Sequence, residues 1–437
     1  MPLKSNEFSS NKNGWNEILP LREPNPTLKG VVEADWVVLG AGFTGLSAAR
    51  RLAKNRPSEK VVLIDGLEIG EGSSGRSSGF AIDLPHNITL DDNEIAIAKS
   101  YKNICSFGIN QLGEIVKNQS IECDWAEVGK FHAAVTPAVS SSILKPYAHC
   151  LEAMGESYEW YSSEQLKNSL GLDHYDSAIY TPGTILLNPA ALARGLADSM
   201  PENVTIYENS QVTDFTNDEK VRLITNEGQV VCRRLILANN GLITQFGYLK
   251  NRILPLLLYA SLTRPLTDAE RRSLGRLDQW GVTPASHMSG ITIRLTSDKR
   301  ILIRQHIESR PSHLDKNVQE NVRKNHKLLL DERFPGLSQV SIEHTWSGFI
   351  SFSRNGAPGF GKFDKNIFAS VCHNGVGIAK GTASGVFIAD YASGERNPLL
   401  QDYQNLGVPC WNPPRPFLDI GSAVRIAYER FRGRDEV

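Results

Sequence analysis

Cysteine is scarce and scattered. Cys105, Cys123, Cys150, Cys232, Cys372 and Cys410 form no C-x-x-C pair and no zinc-type spacing. That excludes dithiol redox chemistry of the paired kind, and no metal is expected. Isolated cysteines fit core packing in a reducing compartment. Long apolar runs are also lacking. None approaches the ~18 residues of a spanning helix, so no transmembrane segment is expected. The opening MPLKSNEFSSNKNGW lacks the apolar core of a signal peptide. The expectation is a cytoplasmic protein. Neither sign of charge dominates: Lys plus Arg is 47, Asp plus Glu is 48, and the net charge is −1. That balance argues against a nucleic-acid surface spanning the molecule, and no nucleic-acid partner is expected. A chain of 437 residues has room for two or three domains.

The informative stretch runs from Asp35 to Asp65, DWVVLGAGFTGLSAARRLAKNRPSEKVVLID. Trp36 to Leu39 reads as a strand buried on both faces. Gly40, Ala41, Gly42, Phe43, Thr44 and Gly45 then give G-x-G-x-x-G. Leu46, Ala49, Leu52 and Ala53 recur at helical spacing. Val61 to Ile64 is a second strand, and Asp65 ends it twenty residues past Gly45. Each part has a job. Gly40 permits the turn, Gly42 lets the backbone approach a pyrophosphate, and Gly45 allows close helix–strand packing. Free N–H groups and the helix dipole favour phosphate. Asp65 can accept hydrogen bonds from both ribose hydroxyls. A glycine-rich turn in some other α/β protein is the plain alternative, but every context test of the motif is met.

Two more glycine-rich turns follow. Gly70 to Gly79, GEGSSGRSSG, would be a linker by composition alone. Its place after a parallel strand puts it instead at a ligand crevice, with Arg76 as its one cation. The strand Ile367 to Val371 runs into HNGVGIAKG (373–381) and a helix from Thr382 to Ala392, again able to aim N–H groups at an electron-rich atom. Between these turns, residues 92–119 have the spacing of an amphipathic packing helix. A helix from Pro189, strands at 204–207 and 235–238, and a hairpin-like run from Val212 return to the nucleotide-binding domain. Mixed-polarity strands at 256–263, 291–295 and 300–304 and a helix over 317–330 suggest an antiparallel-sheet domain inserted into the first. Residues 346–361 read as a turn-rich crossing. Phe417 to Arg432 reads as an amphipathic helix docked on the body, in preference to membrane attachment.

The three glycine turns, in this order, resemble those of FAD-dependent amine and amino-acid oxidases of the D-amino-acid oxidase superfamily. The gamma-glutamylputrescine oxidases are most similar. NPTLKG (25–30), PLLLY (255–259) with RPL (264–266), and Trp346 to Gly361 share the likeness, which covers nearly the whole chain. The resemblance implies an α/β fold: a Rossmann-like FAD-binding domain of the GR2 type, with an inserted α+β, antiparallel-sheet substrate domain. The FAD-binding domain would take 31–100, 181–250 and 341–400. The substrate domain would take 101–180 and 251–340, flanked by an arm at 1–30 and a tail at 401–437. It further implies that Gly40 to Gly45 hold the pyrophosphate and that Asp65, with Gly66 beside it, holds the ribose. Ser73, Ser74, Arg76, Ser77 and Ser78 would run along pyrophosphate and isoalloxazine. Val212 would meet adenine through its backbone. Gly375, Val376, Gly377 and Ile378 would face the pyrimidine end of the flavin.

The chain departs from the family in two of these turns. Ser77-Ser78-Gly79 stands where Asn-Gly-Gly is usual, and Asn374-Gly375-Val376-Gly377 where Ser-Gly-His-Gly is usual. No cysteine lies near 350–354, where sarcosine oxidases attach flavin, so FAD is expected to be noncovalent. The implied reaction is hydride transfer from a neutral amine to flavin N5, giving an imine that water hydrolyses. The expected partners are a small amine or amino acid and oxygen or another electron acceptor.

Substrate and catalytic candidates are Arg304, Tyr259 and His373. Arg304 could grip a carboxylate or sit in a salt bridge. Tyr259 could reach the flavin face or pack in the core. His373 could be catalytic or structural, and Lys380 could approach the flavin or cap a helix. The rival readings are a flavin dehydrogenase with an acceptor other than oxygen, and a noncatalytic flavoprotein partner.

Overall fold

The computed structural model describes residues 12–86, 88, 90–285, 290–309, 316–414 and 416–437. Expectations that fall on residues 1–11 lie outside this set.

The chain builds two eight-stranded sheets. The first has a parallel centre in the order Ile367–Val371, Gly228–Leu237, Gly30–Leu39, Val61–Ile64, Val204–Tyr207. All four residues of Val61–Ile64 are buried, as a continuous apolar run with helices over its faces requires. Gly359–Asp364 adds an antiparallel edge, and Val212–Asn217 and Val221–Thr225 form a meander on Gly228–Leu237. The arrangement is the Rossmann-like domain that the glycine turns imply.

Helices Phe43–Asn55 and Ala379–Ser393 pack on this sheet. They are locked to each other by Arg51, whose Nε lies 2.6 Å from Oδ1 of the fully buried Asp390. The 27-residue helix Asp92–Asn118 starts where the Asp91 carboxylate accepts from the N–H groups of Asn93 and Glu94. Its Cys105, Ile109 and Leu112 join the core under the first sheet. Ile104 packs with Ala383, Val386 and Phe387.

The second sheet runs Ile342–Phe352, Leu254–Thr263, Ile301–Glu308, Thr292–Leu295, Trp280–Pro284, Lys130–Ala134, Ser177–Thr181, Glu159–Ser162. Its pairings are antiparallel except between Trp280–Pro284 and Lys130–Ala134. Helix Lys316–Arg333 covers it, burying Leu329 and Leu330. Residues 346–361 differ from the expected turn-rich crossing. Ile342–Phe352 is a strand paired along the whole of Leu254–Thr263. Ser347 and Gly348 look like turn formers, but they sit in mid-strand, and Gly348 has no side chain where Arg76 lies against that face. A Cβ on Gly348 would sit 3.2 Å from the Cβ of Arg76.

His326 of the covering helix is fully buried. Its Nδ1 lies 2.7 Å from Ser261 Oγ and its Nε2 3.2 Å from the Gln305 carbonyl. Burial pushes its pKa down to about 4, so the native ring stays neutral while the unfolded one protonates near its ordinary value. The unfolded state then binds more protons as pH falls, and stability is lost between roughly pH 6.5 and 4. The urea midpoint of the wild type should therefore fall faster than that of His326→Gln over this window. Parallel pH profiles would contradict a buried neutral His326.

Candidate active site

The nucleotide cradle is built from the first glycine turn. Gly40 has φ +106°, a left-handed region closed to most side chains. A Cβ on Gly45 would lie 1.7 Å from the Gly40 carbonyl oxygen, so the helix sits as close to the turn as backbone permits. Asp65 accepts from Ala41 N at 2.7 Å through Oδ2 and from Leu67 N at 2.9 Å through Oδ1. These bonds fix the carboxylate at the strand's end. Burial pushes its pKa up, and the backbone bonds work the other way.

The second glycine turn is held from behind through its carbonyls, and Ser74 Oγ accepts from Phe43 N of the first turn at 3.2 Å. Asn13 Nδ2 donates to the carbonyls of Gly70 and Gly75 at 2.8 and 3.0 Å. Trp15 Nε1 donates to Ser77 O at 2.8 Å and Trp346 Nε1 to Arg76 O at 3.0 Å. Arg294, buried with its pKa pushed down to about 10, spans the carbonyls of Ser78, Gly79 and Leu187. With the carbonyls engaged, the loop turns Ser73, Ser74, Ser77 and Ser78 toward the cavity. Arg76 also lines it, but its charge is met locally: Nη2 pairs with Glu71 at 3.1 Å and Nη1 donates to Ser347 O. Trp15 is 1% exposed. Trp15→Ala should therefore cost about 3–5 kcal/mol by the usual aromatic truncation scale, and should weaken flavin retention. Equal urea midpoints and equal flavin content for variant and wild type would contradict this bracing role.

The third turn uses left-handed backbone at Cys372, Asn374 and Gly375 (φ +62°, +54° and +92°). Asn374 braces it, accepting from Ser353 N at 2.9 Å and donating to Gly356 O at 2.8 Å. Gly375, Gly377 and Ile378 line the cavity. Val376 instead packs into the core under the first sheet, and Gly45 lies beneath the cradle rather than on its surface.

One cavity of about 620 Å3 joins all three turns. Gly40 to Thr44, Asp65, Gly66 and Val212 line its first part. His373 also lines it, with Nε2 2.8 Å from Thr44 Oγ1, and burial plus the Lys380 charge push its pKa down to about 3. His373 is therefore a neutral partner of the first turn. Lys380 is buried behind it, 5.2 Å from the Tyr101 ring.

The same cavity continues onto the second sheet. Tyr259 lines it, its hydroxyl 3.3 Å from Glu308 Oε2 and its ring edge-on to His306. A bulge between Leu258 and Tyr259 leaves His306 with φ +77°, a device common beside active sites. Arg304 lines the cavity too, with Nη2 2.7 Å from Thr292 Oγ1. Burial lowers its pKa to about 10, so it remains a cation at neutral pH.

Pattern reading missed the rest of this wall. Arg304 pairs with both Ala260 and Thr292, and Thr283 pairs with His132. Val282 opposite Ile293 puts Thr283 beside Thr292. Ala260, Arg304, Thr292, Thr283 and His132 thus form one cross-strand row, and all five line the cavity. At the usual strand spacing the row spans about 14 Å from Arg304 to His132. His132 Nδ1 lies 3.2 Å from Thr283 Oγ1, and its buried Nε2 has no hydrogen-bond partner among the described residues. Burial, with the charge of Lys130, holds His132 neutral. The strand Lys130–Ala134 is buried throughout. No alternation marked His132, and only the pairing register reveals it.

Comparisons with known proteins agree with this geometry. Residues 35–391 match the family of FAD dependent oxidoreductases designated DAO. The chain belongs to this family. It is 27% identical over 417 residues to the probable oxidoreductase OrdL of Haemophilus influenzae, covering 93% of each chain. It is 26% identical over 427 residues to the gamma-glutamylputrescine oxidoreductase of Escherichia coli, covering 92% of this chain and 94% of the relative. Among solved structures, glycine oxidase from Geobacillus kaustophilus superposes with TM-score 0.71 at 18% identity, over 84% of this chain and 96% of that one. The protein is an FAD-dependent oxidoreductase. The residues present fit the cofactor: glycine backbone at Gly40 and Gly42 that could approach a phosphate, a fixed carboxylate at Asp65 that could accept from a ribose, and a loop with its carbonyls turned away. Among the described residues, no cysteine lines the cavity. No helix among the described residues is long and apolar enough to cross a membrane.

Proposed function

We propose that the protein oxidises the C–N bond of an amine or amino acid that carries a carboxylate. The observation behind this reading is the single cavity that runs from the nucleotide cradle to the row bearing Arg304. Gly40 to Gly45, Asp65 and the serine loop would hold the FAD, and Gly375 to Ile378 would lie at its pyrimidine edge. Bound FAD supplies the electron sink, accepting the hydride that leaves the substrate's α-carbon. Arg304 would hold the substrate carboxylate through charge-assisted hydrogen bonds. Tyr259 would close one side, and the apolar walls of Phe349 and Ile350 would exclude water. The amine reacts as the neutral base, so no protein base is needed at the α-carbon. Hydride loss leaves an iminium ion, which releases an N–H proton to water to give the imine that water hydrolyses.

An amine substrate is supported by the relative that acts as a gamma-glutamylputrescine oxidoreductase. The electron acceptor is oxygen or another oxidant, and peroxide formed per turnover distinguishes them. The test is an anaerobic panel of amines and amino acids, scored by loss of flavin absorbance. Bleaching by carboxylate-bearing amines supports the reading. A yellow protein bleached by none of them would contradict it, and would favour a noncatalytic flavoprotein.

A further inference from the structure

His132 ends the cross-strand row that runs from Arg304. It is 1% exposed and lines the cavity. The next position across the sheet, Ile179, is buried in an apolar cluster and takes no part in the cavity wall. The imidazole packs against the Tyr147 ring, 5.2 Å away between centroids, whose hydroxyl donates to the Pro85 carbonyl. Its polar contact is on one side: Nδ1 lies 3.2 Å from Thr283 Oγ1, which itself donates to the Phe131 carbonyl at 3.4 Å. A hydroxyl has one proton. With that proton on the Phe131 carbonyl, Thr283 accepts from His132 Nδ1–H, and Nε2 carries a lone pair. The opposite tautomer makes one hydrogen bond where this one makes two, and it strands a buried N–H. The tautomer is therefore assigned from the bonding of Thr283. Nε2 is buried and has no hydrogen-bond partner among the described residues. Buried polar atoms are paired as a rule, so an unpartnered acceptor on a cavity-lining ring points to a donor on the ligand.

We propose that His132 is a specificity-determining residue whose Nε2 accepts a hydrogen bond from a neutral O–H or N–H of the substrate, at the end remote from the carboxylate. The proposal rests on the reading of Arg304 as the carboxylate anchor. The row spans about 14 Å from Arg304 to His132, so a compact amino acid cannot touch both ends. The substrate class is an elongated amino carboxylate that carries a hydroxyl or an amide. The charge nearby favours a neutral donor over an ammonium. Lys130, two residues before His132 on the same strand, is buried. Burial lowers its pKa to about 8, against the opposing pull of Asp83, so it is largely cationic at neutral pH. Thr283 acts through His132 as a positioning residue, because its hydroxyl fixes which ring nitrogen carries the proton.

Titration of the FAD-loaded full chain with unreactive carboxylates, followed in the flavin absorbance bands, tests this. Three ligands are compared at each of several chain lengths: a plain alkanoate, the same acid with a hydroxyl on its penultimate carbon, and the same acid with a ketone there. The hydroxyl can donate; the ketone only accepts. At the matching length the wild type should bind the hydroxy acid about 5–10-fold more tightly than the plain acid, the worth of one neutral hydrogen bond. The oxo acid should gain nothing. In His132→Phe the hydroxy-to-plain ratio should fall to about one, a comparison that cancels any general disturbance of the cavity. Thr283→Val frees the tautomer, so the oxo acid should gain as well. That change in preference would not follow from a purely structural threonine, and it carries the test if His132→Phe fails to fold. A ratio near one at every length in the wild type would overturn the inference and leave the Arg304 reading standing. So would a gain that survives in His132→Phe, or an oxo acid preferred by the wild type. No response to any carboxylate would overturn both.

Discussion

Gly45→Val should purify as a colourless protein. The new Cβ would lie 1.7 Å from the Gly40 carbonyl oxygen, a backbone atom that cannot swing aside as a side chain can. Relief requires the helix Phe43–Asn55 to withdraw or the phosphate turn to open. Either displaces the N–H groups that the cradle presents. Overpacking of this kind costs about 1–3 kcal/mol when side chains can yield, and more against backbone. At 1.4 kcal/mol per decade, 3 kcal/mol alone weakens binding by about 100-fold. Bound FAD per chain should therefore fall to about a tenth of the wild-type value or less, with far-UV circular dichroism retained. A Gly45→Val protein carrying a full complement of flavin would contradict the cradle geometry.

Arg304→Ala should have the second large effect, at the opposite end of the cavity. Arg304 is the charged member of the cross-strand row, and its pKa of about 10 keeps it cationic across the working range. Charge-assisted hydrogen bonds contribute about 1.5–3 kcal/mol each. Loss of a two-pronged grip should therefore raise KM for a carboxylate-bearing amine by about 100-fold or more. Bound FAD per chain should stay unchanged, because Arg304 touches none of the three glycine turns. An unchanged KM would remove Arg304 from substrate recognition.

The two ends of the cavity were unequally legible in the sequence. The strand–glycine turn–helix unit was readable because its constraints are local: one strand, three glycines, one helix and an acid at fixed spacing. The serine loop was readable by position, but its bracing by Asn13, Trp15, Trp346 and Arg294 was not. Those contacts join residues more than 50 and up to 270 positions apart. The Arg304 row is the extreme case. Its members come from five strands, and their alignment follows from sheet register, which no local pattern encodes. Ser347 and Gly348 show a residue type misread for the same reason: they look like turn formers, but sit in a strand, with Arg76 excluding bulk at Gly348. The apolar side of Phe417–Arg432 was visible as helical periodicity. Its expected docking on the body does not occur: Phe417, Ile420, Val424, Tyr428 and Phe431 are each between 48% and 67% exposed. That outward mounting depends on where Arg430 and Glu436 find acceptors and donors on the body.

A titration of the flavin-loaded protein with benzoate, followed in the flavin absorbance bands, tests most directly whether one cavity serves both cofactor and substrate. A carboxylate held at Arg304 in a cavity shared with the flavin should perturb those bands with a saturating dependence, and Arg304→Ala should abolish the response while retaining bound FAD. No perturbation in the wild type, or the same titration curve in the variant, would contradict the account.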